Sequence, residues 1–287
     1  MISFSVIIPT YNRKKELQEL LECLILQTYK NFEVLICDDG STDNTDFVVS
    51  KYKVQLDINY IKLNNSGGPA LPRNVGIENS KYDWLCFIDS DDLWTNNKLE
   101  VLSATIQKSN EEIFCHPVQV FGENYSKKEI IGRYKRGLLL SDFKSLIYNG
   151  NKIVNSSLCI NKKVIKNDTF YNTNPDYHGI EDYIFLLNLT RLGYKIKSIN
   201  YILGFYRIHD NNISSDSQKQ LHKLKTFFNS CNFPNISLKM ISAQLKYIEI
   251  RINHYNRLTK IKLYLEIISS PSSIEIKFKS FLKIFHK

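Results

Sequence analysis

Short apolar runs rich in β-formers alternate with helical patterns over the first 110 residues. Residues 4–8 read as a strand, and 14–27 as a helix in which Leu17, Leu20, Leu21 and Leu24 recur at helical spacing. Residues 32–37 give a second strand and 42–51 a short helix. Residues 58–63 give a third strand, 69–79 a helix entered through Gly67–Gly68–Pro69, and 84–88 a fourth strand. This alternation predicts an α/β fold, a mostly parallel sheet with helices on its faces. In such sheets ligands bind at the carboxyl ends of the strands. Here those ends carry Pro9–Thr10–Tyr11–Asn12, Asp38–Asp39, Asn64–Asn65 and Asp89–Ser90–Asp91–Asp92.

The middle of the chain, 112–210, is mixed. Residues 112–121 and 130–134 read as strands, 141–148 and 179–192 as helices, and 195–199 and 202–208 as closing strands. From Ser215 onward the pattern is helical, with breaks near Phe233–Pro234 and in the Ser/Pro turn at 269–273. No internal repeat or low-complexity tract interrupts it.

Composition changes this picture in one respect. The chain has 287 residues, 43% of them hydrophobic, enough to bury a sizeable core. Its formal net charge of +9 is unevenly placed. Residues 1–215 hold 25 basic and 25 acidic side chains, whereas 216–287 hold 13 basic and 4 acidic. The expected division is therefore a neutral domain over 1–215 and a basic helical extension over 216–287 that meets something anionic. No apolar stretch approaches the roughly 18–20 residues needed to span a bilayer. The N-terminus lacks the regions of a signal peptide, so the expected location is cytoplasmic. Cys23, Cys37, Cys86, Cys115, Cys159 and Cys231 form no CxxC pair, which excludes a zinc ribbon or thioredoxin motif and predicts reduced packing residues.

Each polar cluster has two readings. The three carboxylates of Asp89–Ser90–Asp91–Asp92 repel one another unless a cation or donors neutralise them, which suits Mg²⁺ or Mn²⁺ shared with a phosphate-bearing substrate. The alternative is a cap for a helix starting at Thr95. Asp38–Asp39–Gly40–Ser41–Thr42–Asp43 either accepts from a nucleobase or forms an Asx turn that caps the following helix. The expected split gives Asp39 to ligand and Ser41 or Asp43 to capping. Arg73, one turn into the helix after Gly67–Gly68–Pro69, suits phosphate, although the spacing matches neither a P-loop nor a dinucleotide fingerprint. Its alternative is an ordinary surface arginine. Glu181–Asp182 at a helix start is either a favourable dipole contact or a general base. His209, ending a strand, is either structural or a ligand.

Taken together, six motifs resemble family-2 glycosyltransferases of the GT-A fold. They are residues 6–12 (VIIPTYN), 34–43 (VLICDDGSTD), 72–76 (PRNVG), 87–94 (FIDSDDLW), 179–183 (GIEDY) and 206–209 (YRIH), in order across about residues 3–215. The resemblance implies inverting transfer of a sugar from a nucleotide-sugar, UDP by family preference, to a hydroxyl, with a divalent metal, Mn²⁺ or Mg²⁺. It implies that Tyr11 stacks on the base, Pro9 shapes the turn, Asp39 hydrogen-bonds the base, Arg73 lies near the diphosphate and Asp89 faces the ribose. It implies Asp91 as metal ligand, Asp182 as catalytic base and His209 as a further metal or diphosphate contact. The processive members' QxxRW motif and transmembrane helices are absent, which favours a single-addition enzyme. A nucleotidyltransferase, or a catalytically silent relative binding nucleotide or glycan, are the competing readings.

The C-terminal segment 273–287 adds a location. With Phe278 at zero on a helical wheel, Ile274, Phe281, Leu282 and Phe285 fall within about 60° of it, and Lys277, Lys279, Lys283 and Lys287 flank or oppose them. That pattern suits a helix lying on an anionic membrane surface, or a terminal helix packed on its own domain with a solvated basic face. With a membrane-facing tail, the expected acceptor is a lipid-linked glycan in bacterial O-antigen, lipooligosaccharide or capsule synthesis, and the enzyme is peripheral at the inner face of the cell membrane. Nothing resembles a nucleic-acid reader module.

Overall fold

The strand β1 (Phe4–Thr10) is buried along its whole length, which is why it reads as a continuous apolar run without alternation. It pairs in parallel with β2 (Phe32–Asp38) on one side and with β4 (Trp84–Phe87) on the other. β2 in turn pairs in parallel with β3 (Ile58–Lys62). The computed structural model describes residues 1–122, 129–132, 139–140, 143–166, 169–209, 217–231, 238–253, 257–270 and 274–285.

The helices between these strands cover both faces of the sheet. Phe4, Val6 and Ile8 point to the face where α1 (Lys14–Ile25) buries Leu17, Leu20, Leu21 and Leu24. Ile7 points to the other face, under α3 (Ala70–Asn79). Gly76 makes this second contact close: a Cβ there would fall 2.4 Å from Ile7 Cγ2 and 3.3 Å from Cys37 Sγ. The helix α2 (Thr45–Tyr52) links β2 to β3.

Beyond β4 the parallel order breaks. The sheet continues through β10 (Cys159–Asn161), antiparallel to both β4 and β6 (Ile113–Cys115). It ends in β11 (Ile196–Ser198), parallel to β6, and β9 (Leu139–Leu140), giving the order β3-β2-β1-β4-β10-β6-β11-β9. A second sheet holds β5 (Leu93–Trp94), β12 (Gly204–Arg207), β7 (Val118–Phe121) and β8 (Ile130–Ile131) in the order β5-β12-β7-β8. The single strand predicted over 112–121 is therefore two, β6 and β7, in different sheets. The break is at His116–Pro117, where proline has no N–H to donate to a ladder. The helix expected from Thr95 is α4 (Lys98–Ile106), starting three residues later. β5 and β10, two and three residues long, are too short to leave a period.

The chain forms two units by its contacts: Met1–Leu140 with Lys152–Asn212, and Ser141–Asn151 with Ile213–Lys287. The second unit is helical. It contains α5 (Phe143–Asn149), α7 (Ser217–Ser230), α8 (Leu238–Ile252), α9 (Arg257–Ser269) and α10 (Ile274–Phe285). Tyr247 and Ile250 of α8, Tyr264 and Ile267 of α9 and Ile276 of α10 form its small core. The segment 141–151 belongs to this unit, although its sequence neighbours belong to the first. Among the described residues no helix is long and apolar enough to cross a membrane. All six cysteines are free thiols, four of them buried.

Gly76→Ala is expected to destabilise the protein by about 1–3 kcal/mol, because the methyl group must push α3 off β1. A lowered midpoint in urea denaturation with unchanged slope checks this.

Candidate active site

The turns after β1 and β2 are stitched to each other. The Asn12 N–H donates to Ser41 Oγ at 2.8 Å, and Asn12 Oδ1 accepts from the Thr42 N–H at 2.8 Å. Asn12 takes a positive φ of 49°, which asparagine tolerates, and Gly40 one of 83°. Asp43 Oδ2 accepts from the N–H of Lys14 at 3.0 Å and its Oδ1 from the hydroxyl of Thr45 at 2.6 Å, so it holds the starts of both α1 and α2. Ser41 instead spends its hydroxyl on Asn12, which corrects its expected capping of α2: the N-cap of α2 is Asn44, whose side chain makes no capping bond. This stitching presents Tyr11 half-exposed at the sheet edge. Pro9 lies in β1 opposite Cys37, two residues past the last β1–β4 pair, Ile7 with Phe87.

The two carboxylates at the end of β2 have different partners. Asp38 is fully buried; its Oδ1 accepts from the Ser41 N–H at 2.7 Å, and the Tyr60 hydroxyl donates to its Oδ2. Asp39 uses Oδ1 to accept both the N–H and the hydroxyl of Ser66, each at 2.8 Å. Gly68, two residues on, is approached by the His178 ring so closely that a Cβ on it would fall 2.8 Å from the imidazole.

Arg73 is buried and pointed inward. It donates from Nη2 to Asp89 Oδ1 at 2.7 Å and from Nη1 to Glu181 Oε1 at 2.9 Å, while its Nε has no hydrogen-bond partner. Its guanidinium lies 5.2 Å from the Tyr171 ring centroid, and Tyr171 stacks on Phe185 of α6 (Glu181–Arg191) at 4.0 Å. This is not the surface arginine of the alternative reading. It bridges the end of β4 to the start of α6, residues more than ninety positions apart.

The three acids after β4 are separately satisfied, and none of them caps α4. Asp89 pairs with Arg73. Asp91 Oδ2 lies 2.9 Å from His209 Nε2, with both side chains one-fifth exposed. Asp92 is buried; its Oδ2 accepts from the Ser156 hydroxyl at 2.5 Å and its Oδ1 from the Arg207 N–H at 2.9 Å. Burial, with Asp91 and Asp89 nearby, raises the pKa of Asp92 well above the usual carboxylate value. Arg207 Nε donates to the Asp91 carbonyl at 2.7 Å, so β12 clamps the acidic loop as it delivers His209.

Ser156, in the short 3-10 turn Asn155–Ser157, lies in no motif and is the one hub that sequence reading misses. Its hydroxyl accepts from the Asp89 N–H at 3.0 Å and donates to Asp92. Its carbonyl accepts from Trp94 Nε1 at 2.9 Å and Lys98 Nζ at 3.0 Å. Lys98 is fully buried, with Nζ 3.5 Å from the Trp94 ring centroid, and burial pushes its pKa down to about 7.

Glu181 and Asp182 divide the two roles open to them. Glu181 is buried, accepts from the Gly179 N–H at 2.5 Å and pairs with Arg73. Asp182 is half-buried and accepts from the Tyr183 N–H at 2.7 Å. Burial and the charge of Glu181 push the Asp182 pKa up to about 7, against the opposing charge of Arg73. The site thus holds a carboxylate that changes protonation near neutrality, beside acids that hydrogen-bond or ion-pair with their own partners. Asp91 and His209 supply a carboxylate and an imidazole, hard and borderline donors that suit a divalent cation completed by phosphate oxygens. No group of three or more His, Cys, Asp or Glu side chains forms a closed metal site among the described residues. A groove of about 650 Å³ beside α4, lined in part by Asn97, Val101, Lys197 and Tyr201, shares no residue with these carboxylates.

The family model described as Glycosyl transferase family 2 matches residues 5–165. The chain is 31% identical over 222 residues to the Escherichia coli UDP-Glc:alpha-D-GlcNAc-diphosphoundecaprenol beta-1,3-glucosyltransferase WfaP, a match covering 76% of this chain and 82% of that one. It is 28% identical over 253 residues to the E. coli enzyme of the same description, WfgD, covering 88% and 94%. The crystal structure of Staphylococcus aureus TarS 1–349 in complex with UDP-GlcNAc superposes with a TM-score of 0.68 at 21% identity, covering 93% of this chain and 81% of that one.

Ser156→Ala is expected to cost about 1–3 kcal/mol of stability, since it removes a donor from the buried Asp92 and an acceptor from the Asp89 N–H. Urea denaturation of the variant checks the value.

Proposed function

The chain belongs to glycosyl transferase family 2, and from that membership we propose that it transfers a single sugar from a UDP-sugar to a hydroxyl of a lipid-linked glycan, with inversion and with a divalent metal. The observation that carries this reading is the Arg73 bridge, which brings the start of α6 to the same sheet edge as Asp89 and so sets Asp182 beside the acidic loop. A general base and a phosphate-binding edge are what transfer from a nucleotide-sugar requires.

In this reading Tyr11 stacks on the base above the turn that Pro9 begins, and Asp39 accepts from the base through Oδ2, since Ser66 occupies Oδ1. Asp89, oriented by Arg73, accepts from the ribose. Asp91 and His209 would hold a divalent metal, Mn²⁺ or Mg²⁺, which would supply positive charge to offset that of the diphosphate. Asp182 takes the proton of the acceptor hydroxyl as that oxygen forms its bond to the anomeric carbon. The bond from that carbon to the diphosphate oxygen breaks on the opposite face, and UDP departs. One carboxylate is enough because the leaving group needs no proton, unlike the two-carboxyl arrangement of most glycoside hydrolases. Arg73 contributes by holding Asp89 and Glu181 in place.

Support for the substrate classes comes from the two E. coli relatives, whose names specify UDP-glucose and an undecaprenol-linked acceptor. Their names also specify a β-1,3 linkage in the product. By extension we place this enzyme in assembly of a bacterial surface polysaccharide such as O-antigen, lipooligosaccharide or capsule, working peripherally at the inner face of the membrane.

Asp182→Asn should lower transfer at least about a hundredfold while UDP binding persists; near-normal transfer would remove Asp182 as the base. In the unsubstituted enzyme, transfer should fall as pH drops through about 7, because Asp182 becomes protonated there and a protonated carboxyl accepts no proton. A pH–rate profile with no acid limb near that value would contradict the assignment.

A further inference from the structure

The helical hairpin of α9 and α10 turns apolar side chains in two directions. Inward, Tyr264, Ile267 and Ile276 pack on Tyr247 and Ile250 of α8, and Ser280 is fully buried. Outward, Leu258 and Leu265 of α9 are 80% and 53% exposed, and Phe281 and Leu282 of α10 are 51% and 40% exposed. Leu258 and Leu265 are seven residues apart and so share one helix face, with the exposed Lys262 between them. On α10, at 100° per residue, the direction midway between Phe281 and Leu282 lies about 150–170° from Ser280 and Ile276. The helix is therefore docked by one side and keeps the other in solvent.

Charge decides what such a surface meets. Residues 257–287 contain seven basic and two acidic side chains, and one of the acids, Glu266, is already paired with Lys246 of α8. A second copy of this chain would bring the same excess of positive charge against it, and the contact would be repulsive. An anionic lipid surface has the complementary charge and an apolar interior for leucine and phenylalanine.

We propose that the exposed residues Leu258, Lys262 and Leu265 of α9 and Phe281 and Leu282 of α10, drawn by the basic excess of residues 257–287, form a docking surface for anionic lipid bilayers. It is wider than the terminal segment alone, because α9 contributes the exposed Leu258 and Leu265. The few apolar side chains make the attachment reversible and dependent on the anionic headgroups. The proposal shares with the transferase reading only the lipid-linked acceptor and stands on the hairpin's own exposure and charge.

Cosedimentation of the full-length protein with vesicles tests it. The protein should pellet with phosphatidylcholine vesicles containing phosphatidylglycerol, remain in the supernatant with phosphatidylcholine alone, and be released by added salt. The variant Leu258→Ser/Leu265→Ser, at the two most exposed of these residues, should partition at least about tenfold less with its melting temperature kept, and adding Phe281→Ser/Leu282→Ser should lower partitioning further. A second variant, Lys262→Gln/Lys277→Gln/Lys283→Gln, should lose the preference for anionic vesicles. Undiminished binding by either variant, equal binding to neutral vesicles, or a wild-type dimer that the leucine and phenylalanine substitutions dissolve would overturn the proposal. UDP-sugar hydrolysis measured in vesicle-free solution separates the two readings. Hydrolysis without vesicle binding rejects this surface alone, and vesicle binding without hydrolysis rejects the transferase alone.

Discussion

Carboxylates crowded at one end of the large sheet repel each other, and most of the local structure there serves to offset that repulsion. Asp38 has Ser41 and Tyr60, Asp39 has Ser66, Asp89 and Glu181 share Arg73, Asp91 has His209, and Asp92 has Ser156 and the Arg207 N–H. The donors come from β3, α3, the turn before β10, and β12, so the arrangement requires most elements of the first unit to be in place at once. Arg73 is the central case. Its own burial is tolerable because two carboxylates face it, and removing it would leave Glu181 uncompensated in the interior.

The same crowding sets the chemistry proposed for the site. Glu181 takes the arginine and the Gly179 N–H, which leaves Asp182 to bear the cost of burial and of its neighbour's charge. A carboxylate so placed ionises near neutrality, the condition under which a general base transfers protons effectively. Structural and chemical demands on this dipeptide are thus met by different residues, and the first sustains the second.

The two readings of most motifs in the sequence turn out to be shared among neighbours in a similar way. Asp43 meets Thr45 at the start of α2 and also caps α1, because β1 and β2 are adjacent in the sheet and bring Lys14 within 3.0 Å of it. Nothing in a local sequence window signals a cap across 29 residues. Ser156 is invisible for the same reason, since its importance lies in the Asp89, Asp92, Trp94 and Lys98 side of its contacts, 58 to 67 positions away. The terminal helix follows the rule too: its amphipathic character is readable, while the side that docks depends on where Tyr247 and Ile250 of α8 lie.

What the sequence determined by itself is whatever neighbouring residues encode together. The strand–helix alternation through β4 and the delivery of polar residues to the strand ends follow from hydrophobic periods read over a few turns. So do the six ordered motifs of the family and the segregation of charge into the last quarter of the chain. Only the tertiary structure decided that Arg73 points inward to two carboxylates, that β10 interrupts the parallel order and carries Ser156 beneath the acidic loop, and that 141–151 joins the second unit. Those outcomes depend on contacts between residues far apart in the chain, whose energies exist only once the sheet has brought them together.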